Sequence, residues 1–428
     1  MAVFAGIHLN REKGDLMQKE TYYQNEYSLS YYGWVVVGMC ALANMVAFGF
    51  VFSYSVFFKS LAAEFGYERS VIAGAFSAYA IMHNLFAFFA GRLLDKFGPK
   101  VVLGVAGFAL GLSMIVMSTV NSILELYLYF GLIFSLGVAC SYVPAMATVS
   151  KWFQEKRGFA IGLTAAGLGA GSFIFSPLSA WLISVFGWRK SYFILGIVAW
   201  LIFFVVVTFV RKPPTKENGE AKDTVGSVKS LSLVKVFMTR TFWMICLTWF
   251  FAALALWAVM VHVVMMCTDR GMSIILAGSM MGVIGGASIF GRIGSGFISD
   301  KLGRKTTCMI ALICQTIMLV WLIFSSEIWM LWVFAILFGV SSGGFVGVIP
   351  AFPADYFGIK AAGSILGLII IIVGVGVAVG PYAGGVIYDV TGSYNYMIIM
   401  CIISSILATI TSALIGPAKT TASDGIMG

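Results

Sequence analysis

The chain alternates long apolar stretches with short polar ones, and this alternation limits the folds open to it. A helix needs about 20 apolar residues to cross the hydrocarbon core of a bilayer. Twelve stretches are long enough, so the sequence predicts an all-α membrane protein with twelve transmembrane helices. They lie at about residues 34–58, 70–91, 99–121, 124–150, 158–184, 190–210, 240–266, 273–298, 306–325, 328–350, 361–387 and 394–416.

Composition excludes several other classes of protein. The chain is 60% hydrophobic and only 11% charged, against about 25% charged in a soluble domain. The net charge of +9 comes from Lys and Arg in short loops between apolar spans, so we expect a bilayer and no nucleic acid as partner. The seven cysteines are scattered without a CxxC pair, and no Walker, dinucleotide or HExxH motif occurs. We therefore expect no metal, no cofactor and no enzyme activity.

The positions of the basic residues predict the orientation. With the N-terminus inside, the tails and even-numbered loops hold 21 Lys and Arg and the odd-numbered loops hold five. Basic residues are retained on the cytoplasmic side, so both termini should be cytoplasmic. The short tails and linker favour a prokaryotic inner membrane.

The sequence also repeats itself. GRLLDKFGPK from Gly91 resembles GFISDKLGRK from Gly296, 205 residues later, which predicts two pseudo-symmetric six-helix bundles. Parallel repeats of this kind place a substrate site near mid-membrane between the halves. The predicted parts are a cytoplasmic tail (1–33), a first bundle (34–210), a cytoplasmic linker (211–239), a second bundle (240–416) and a second tail (417–428).

Arg292 is the only Asp, Glu, Lys or Arg that lies well inside an apolar span. A charge at that depth costs roughly 2.5–3.5 kcal/mol on insertion scales, so it indicates a functional site. Arg292 precedes Asp300 by eight residues, so it lies roughly 12 Å along the helix from the helix end at Asp300. A guanidinium can present two donors to a carboxylate, and no acidic residue well inside a span could neutralise it. The alternative is that Arg292 reaches the interface or pairs with a carbonyl.

Three other residues are candidates for a functional role, one in substrate binding and two in proton coupling. Tyr142 lies nine residues before Lys151, at a depth similar to Arg292, and its hydroxyl could donate to a bound anion. His83 and His262 titrate near neutral pH and are candidates for proton coupling. Polar residues in spans more often join helices, so each also has a purely structural interpretation.

The repeated loop motif resembles the signature of the major facilitator superfamily. Gly91 with Asp95, and Gly296 with Asp300, hold the corresponding positions in the two halves. The resemblance implies a structural and gating role for these residues. Gly91 is also expected to let two helices approach closely.

A second motif resembles the monocarboxylate transporter family. WFQEKRGFAIGLTAAGLGAG, from Trp152 to Gly171, is similar to that family's fifth-helix signature, and Tyr32 to Trp34 match its first-helix signature in part. In that family an arginine at the position of Arg292 pairs with the substrate carboxylate. Its animal members carry a helix-one lysine linked to proton coupling, and Phe52 stands there in this chain.

The resemblance implies a secondary transporter that moves a small monocarboxylate such as lactate, pyruvate, acetate or formate by alternating access. Net transport needs proton symport or exchange for another anion. Oxalate–formate antiporters are also similar, but they add a lysine in helix eleven that is absent here, and one positive charge suits a monoanion. A carboxylate antiporter, a facilitator of neutral sugars or drugs, and a non-transporting carboxylate sensor remain alternatives.

Overall fold

The computed structural model describes residues 31–153, 155–212, 236–349, 352–357 and 362–416, and these ranges contain helices and no strand. The predicted tails up to residue 30 and from residue 417, and linker residues 213–235, lie outside the described residues. The all-α class is confirmed.

Eleven helices in the described ranges are long and apolar enough to cross a membrane. One of them, Arg157–Phe209, has 53 residues, whereas about 20 residues span a bilayer. It is broken at Gly187, whose φ of 76° and ψ of 162° are not helical, so it forms two crossings. The twelve helices are α1 (Tyr32–Phe65), α2 (Arg69–Phe97), α3 (Pro99–Met117), α4 (Ile123–Trp152), α5 (157–186), α6 (188–209), α7 (Arg240–Asp269), α8 (Ile274–Leu302), α9 (Arg304–Phe324), α10 (Ile328–Val348), α11 (Ala362–Thr391) and α12 (Tyr394–Ala413).

Three local features differ from the sequence prediction. Helix α1 continues seven residues beyond its predicted end and stops at Gly66, which has a φ of 65°. The segment Tyr127–Phe134 of α4 is π-helical, and a short helix, Phe352–Phe357, follows α10. Hydropathy reports how long an apolar stretch is, and it does not report the hydrogen-bond pattern within that stretch.

The backbone repeats as the sequence predicts. All six glycines with positive φ in the described ranges form three pairs, each separated by 205 residues. A positive φ favours glycine because a Cβ atom would clash, so these residues mark loops that must turn in the same way. The pairs are Gly66 with Gly271, Gly98 with Gly303, and Gly187 with Gly392.

Helix packing repeats at the same spacing. A Cβ atom at Gly171 of α5 would clash with the backbone carbonyl of Met45 in α1. A Cβ atom at Gly376 of α11 would clash in the same way with Phe250 in α7. The first half (α1–α6) and the second half (α7–α12) are therefore two copies of one six-helix unit, which confirms the predicted architecture.

The bundle has two ends. We call the end where α1 begins and α12 ends the terminal end, and the end where α1 is followed by α2 the distal end. At the distal end Arg69 of the first half pairs with Asp269 of the second at 2.6 Å. At the terminal end the ion pairs Lys151–Asp95 and Arg304–Asp355, both 3.0 Å, each stay within one half.

Glycine packing shows how far the halves stay in contact. On α8, Gly278, Gly282 and Gly285 pack against α5. Gly294 and Gly296, nearer the terminal end, have nothing within 4 Å of a Cβ position. On α11, Gly385 and Gly374 pack against α2, and open space surrounds Gly367. The halves are thus closed distally and part towards the terminal end.

Candidate functional site

Arg292 lies where the two halves part. Its Nη1 donates a hydrogen bond of 3.2 Å to the carbonyl oxygen of Ala165 in α5, across the boundary between the halves. The hydrogen bonds that join the halves in the described ranges extend from the distal end to this pair. The side chain therefore faces the other half and not the surrounding lipid.

The guanidinium of Arg292 is only partly satisfied. Its Nε is buried and has no hydrogen-bond partner, although an arginine carries five N–H donors. No Asp or Glu of the described chain forms an ion pair with Arg292. A partly buried cation without an ionic partner is costly, so this position favours a bound anion as its counter-charge.

Tyr142 lies within electrostatic range of Arg292. The two side chains interact electrostatically, from α4 of the first half and α8 of the second. The Tyr142 hydroxyl makes no hydrogen bond to any described residue, and its ring meets Phe48 edge-on, with 5.4 Å between centroids. Its hydroxyl is thus without a partner among the described residues.

His262 has partners for both ring nitrogens. Nδ1 is 3.2 Å from the Tyr394 hydroxyl, and Nε2 is 2.9 Å from the carbonyl oxygen of Pro381. The residue is fully buried, and these partners belong to α11 and α12 of its own half. These contacts join three helices and occupy both ring nitrogens.

His83 is the other predicted coupling residue, and its surroundings differ. It lies on α2 beside Tyr79, with ring centroids 5.7 Å apart, and it faces the backbone of Ser135 in α4. Its Nδ1 is buried and has no hydrogen-bond partner. One ring nitrogen of His83 is thus unpartnered, whereas both ring nitrogens of His262 have partners.

The loop-motif residues lie at the terminal end. Asp95 accepts a hydrogen bond of 3.0 Å from Lys151, and Asp300 is exposed. The expected close approach of helices at Gly91 is not found in this structure, because nothing lies within 4 Å of a Cβ position there or at Gly296. The physical reason is that the halves are apart at this end.

Sequence reasoning missed the cluster that holds the distal end together. Arg69 pairs with Asp269, and its guanidinium carbon lies 3.6 Å from the centroid of the Tyr388 ring. Asp389 accepts hydrogen bonds from the N-terminus of α2. In the sequence these charges are marked only by lying at the borders of apolar spans. Most loop residues of this chain lie there too, so position alone does not distinguish this cluster.

No group of three His, Cys, Asp or Glu side chains that could hold a metal ion occurs in the described part of the chain. The candidate site consists of the Arg292 guanidinium, the Tyr142 hydroxyl and the Phe48 ring. Two six-helix halves that are sealed at one end and part around a partly buried cation have the arrangement of a secondary transporter.

The family follows from comparison with known proteins. The sequence profile of the Major Facilitator Superfamily matches residues 40–326 and 295–425, so the chain belongs to that superfamily. It is a multi-pass membrane transporter and not an enzyme.

Similar proteins support this assignment over most of their length. The MFS transporter asaE of Aspergillus flavus is 28% identical over 380 residues, covering 85% of this chain and 82% of asaE. Monocarboxylate transporter 4 of Rattus norvegicus is 28% identical over 379 residues, covering 86% of this chain and 80% of that transporter. The fold is similar to that of a bacterial homologue of the human lysosomal transporter Spinster, solved inward-facing and unoccupied. That match has a TM-score of 0.73 and 14% identity, and it covers 90% of this chain and 98% of the Spinster homologue.

Proposed function

We propose that the protein moves a small monocarboxylate across the membrane by alternating access, with proton coupling. The observation that carries this proposal is the buried, unpartnered Nε of Arg292 at the boundary between the halves. A carboxylate could accept from this nitrogen and from the Tyr142 hydroxyl. The named similarity to monocarboxylate transporters supports the same substrate class.

Binding at this position would link substrate to movement. Arg292 contributes from the second half, and Tyr142 and Ala165 contribute from the first. An anion there neutralises the cation and lowers the cost of enclosing it in low dielectric. The halves can then close at the terminal end and open at the distal end around the same site.

Uptake into proteoliposomes tests the proposal. Radiolabelled lactate, acetate and oxalate are offered with and without an inward proton gradient. Wild-type protein should accumulate a monocarboxylate, and the gradient should stimulate uptake. Arg292→Ala and Arg292→Lys should lose most uptake, because an ammonium cannot reproduce the two-donor contact. Uptake of no monocarboxylate, or full uptake by Arg292→Ala, would contradict the proposal.

Arg270→Lys is the matched control. Arg270 also donates to backbone carbonyls, those of Ser325 and Leu322, but it lies at the distal end within the second half. Its replacement should therefore leave uptake unchanged. Oxalate counterflow without pH dependence would instead support an antiporter.

We further propose that both termini lie in the cytoplasm. The excess of Lys and Arg in tails and even-numbered loops, 21 against five, supports this orientation. A fluorescent-protein fusion after residue 428 should fluoresce if that terminus is cytoplasmic, and an alkaline phosphatase fusion there should be inactive. The opposite result would reverse the orientation.

A further inference from the structure

A set of aromatic rings lies between Arg292 and the sealed distal end. Phe52 of α1 and Trp257 of α7 stack across the boundary between the halves, with centroids 5.8 Å apart and ring planes 8° apart. Phe76 of α2 lies 5.4 Å from Trp257, and Phe48 of α1 lies 6.4 Å from Phe52. We call Phe52, Trp257 and Phe76 the aromatic roof.

The roof marks where the opening between the halves stops. Phe52 is the only partly exposed residue between Val46 and Phe58, and Trp257 is the last partly exposed residue of α7 before 258–268, which are all buried. Immediately beyond them, Ser55 donates a 2.9 Å hydrogen bond to the carbonyl oxygen of Val261 in the other half. The two rings therefore bound the accessible space on its distal side.

An apolar side chain connects Tyr142 to the roof. Phe48 links the two, because its ring meets Tyr142 at 5.4 Å and Phe52 at 6.4 Å. Two polar side chains of α2 that face α11 each donate one hydrogen bond to a backbone oxygen. Ser77 donates to Ala378 at 2.5 Å, and Asn84 donates to Ala80 at 3.1 Å. The site thus has a polar end at Arg292 and Tyr142 and an aromatic end at the roof.

We infer that Phe52 and Trp257 determine specificity by binding the apolar tail of the substrate. This inference rests on the proposed function. The preferred substrates are monocarboxylates with an alkyl or aryl tail of three or more carbons, and formate, acetate and lactate are weaker ligands. Each methylene moved from water to the roof should tighten binding by about four-fold. Aryl tails should gain further from packing against the ring edges and faces.

Competition across a homologous series tests the inference. The full chain is reconstituted in liposomes at equal pH on both faces, and counterflow of labelled butyrate is measured with protein-free vesicles subtracted. Acetate, propionate, butyrate, pentanoate and phenylacetate then compete. The inhibition constant should fall about four-fold with each methylene up to pentanoate. Phenylacetate should compete better than acetate.

Variants of the roof identify the residues responsible. In Phe52→Leu and Trp257→Leu the inhibition constant should change little with tail length, so the slope of the inhibition constant against methylene number should be small. Elution as a single species in detergent shows that each protein is folded. Trp257→Phe keeps a ring and should restore most of the slope. Phe290→Leu is the control, because Phe290 lies two residues from Arg292 but is 74% exposed. It should keep the wild-type slope.

The outcomes separate this inference from the proposed function. Lactate or acetate uptake that requires Arg292, together with equal inhibition by acetate and pentanoate, would overturn the inference alone. A wild-type slope in both Phe52→Leu and Trp257→Leu would also overturn it. Uptake of no monocarboxylate would overturn the proposed function and this inference with it.

Discussion

Asp389 of the second half accepts hydrogen bonds from the backbone N–H groups of Arg69 and Ser70 in the first half, at 2.9 and 2.8 Å. The first N–H groups of a helix have no partner within the helix and carry partial positive charge. The residue before α2, Glu68, makes no capping bond with its own side chain. The cap of α2 therefore comes from the other half, and it exists only while the distal end is closed.

Removing this cap should open the distal end. Each hydrogen bond to a charged group contributes about 1.5–3 kcal/mol, so Asp389→Ala should shift the population towards the distally open state by at least about ten-fold. Spin labels at Lys190→Cys and Ile328→Cys, exposed on opposite halves at that end, report the change as a longer distance. A Cys314→Ser background suits the labelling, because Cys314 is the one exposed cysteine among the seven.

Glu64→Ala is the control for that experiment. Glu64 pairs with Arg189 at 3.1 Å at the same end, but both residues belong to the first half. Its loss should leave the label distance unchanged. Equal distances in wild type and Asp389→Ala, or equal opening in Glu64→Ala, would show that the cap does not hold the distal end.

The sequence predicted the fold better than it predicted the contacts between the halves. Apolar length and the 205-residue repeat specify twelve helices in two copies, because a bilayer forces each apolar stretch into a helix. The depth of Arg292 and Tyr142 follows from counting residues to the helix end. The cap by Asp389 and the Phe52–Trp257 stack join residues 320 and 205 positions apart. Such pairs depend on how the halves dock, which spacing within one helix does not reveal.

Replacing Tyr142 tests whether its hydroxyl contributes to substrate binding. If its hydroxyl donates to the bound carboxylate, Tyr142→Phe removes one hydrogen bond to a charged group, worth about 1.5–3 kcal/mol. The KM for the monocarboxylate should rise about ten-fold or more, and the ring packing on Phe48 should persist. Tyr32→Phe is the control, because the Tyr32 hydroxyl donates to the carbonyl oxygen of Phe209 within the first half. An unchanged KM in Tyr142→Phe would remove this residue from the site.

The two histidines should behave differently. His83 has a free buried Nδ1, so we expect His83→Gln to abolish stimulation by an inward proton gradient and to preserve counterflow. His262 joins α7 to Tyr394 and Pro381, so His262→Gln should lower the Tm and keep the gradient response. Uptake at several pH values and thermal unfolding in detergent distinguish the two. A normal gradient response in His83→Gln would exclude it from coupling.

The open space at Gly91 and Gly296 predicts that substitutions of these glycines affect transport and not stability. Alternating access requires this end to close, and small residues there would then allow α2 and α8 to approach their neighbours. Gly91→Ala and Gly296→Ala should keep the wild-type Tm, because an added methyl meets nothing in this structure, and transport should slow.

Gly343→Ala should show the opposite pattern of effects. A Cβ atom at Gly343 of α10 would clash with the backbone carbonyl of Ser288 in α8, and overpacking of this kind costs about 1–3 kcal/mol. Its Tm should therefore fall, since α8 and α10 pack together within the second half. Stopped-flow uptake and thermal unfolding measure the two properties separately. Wild-type transport rates in both Gly91→Ala and Gly296→Ala would mean that closure of the terminal end does not bring a neighbouring helix against either glycine.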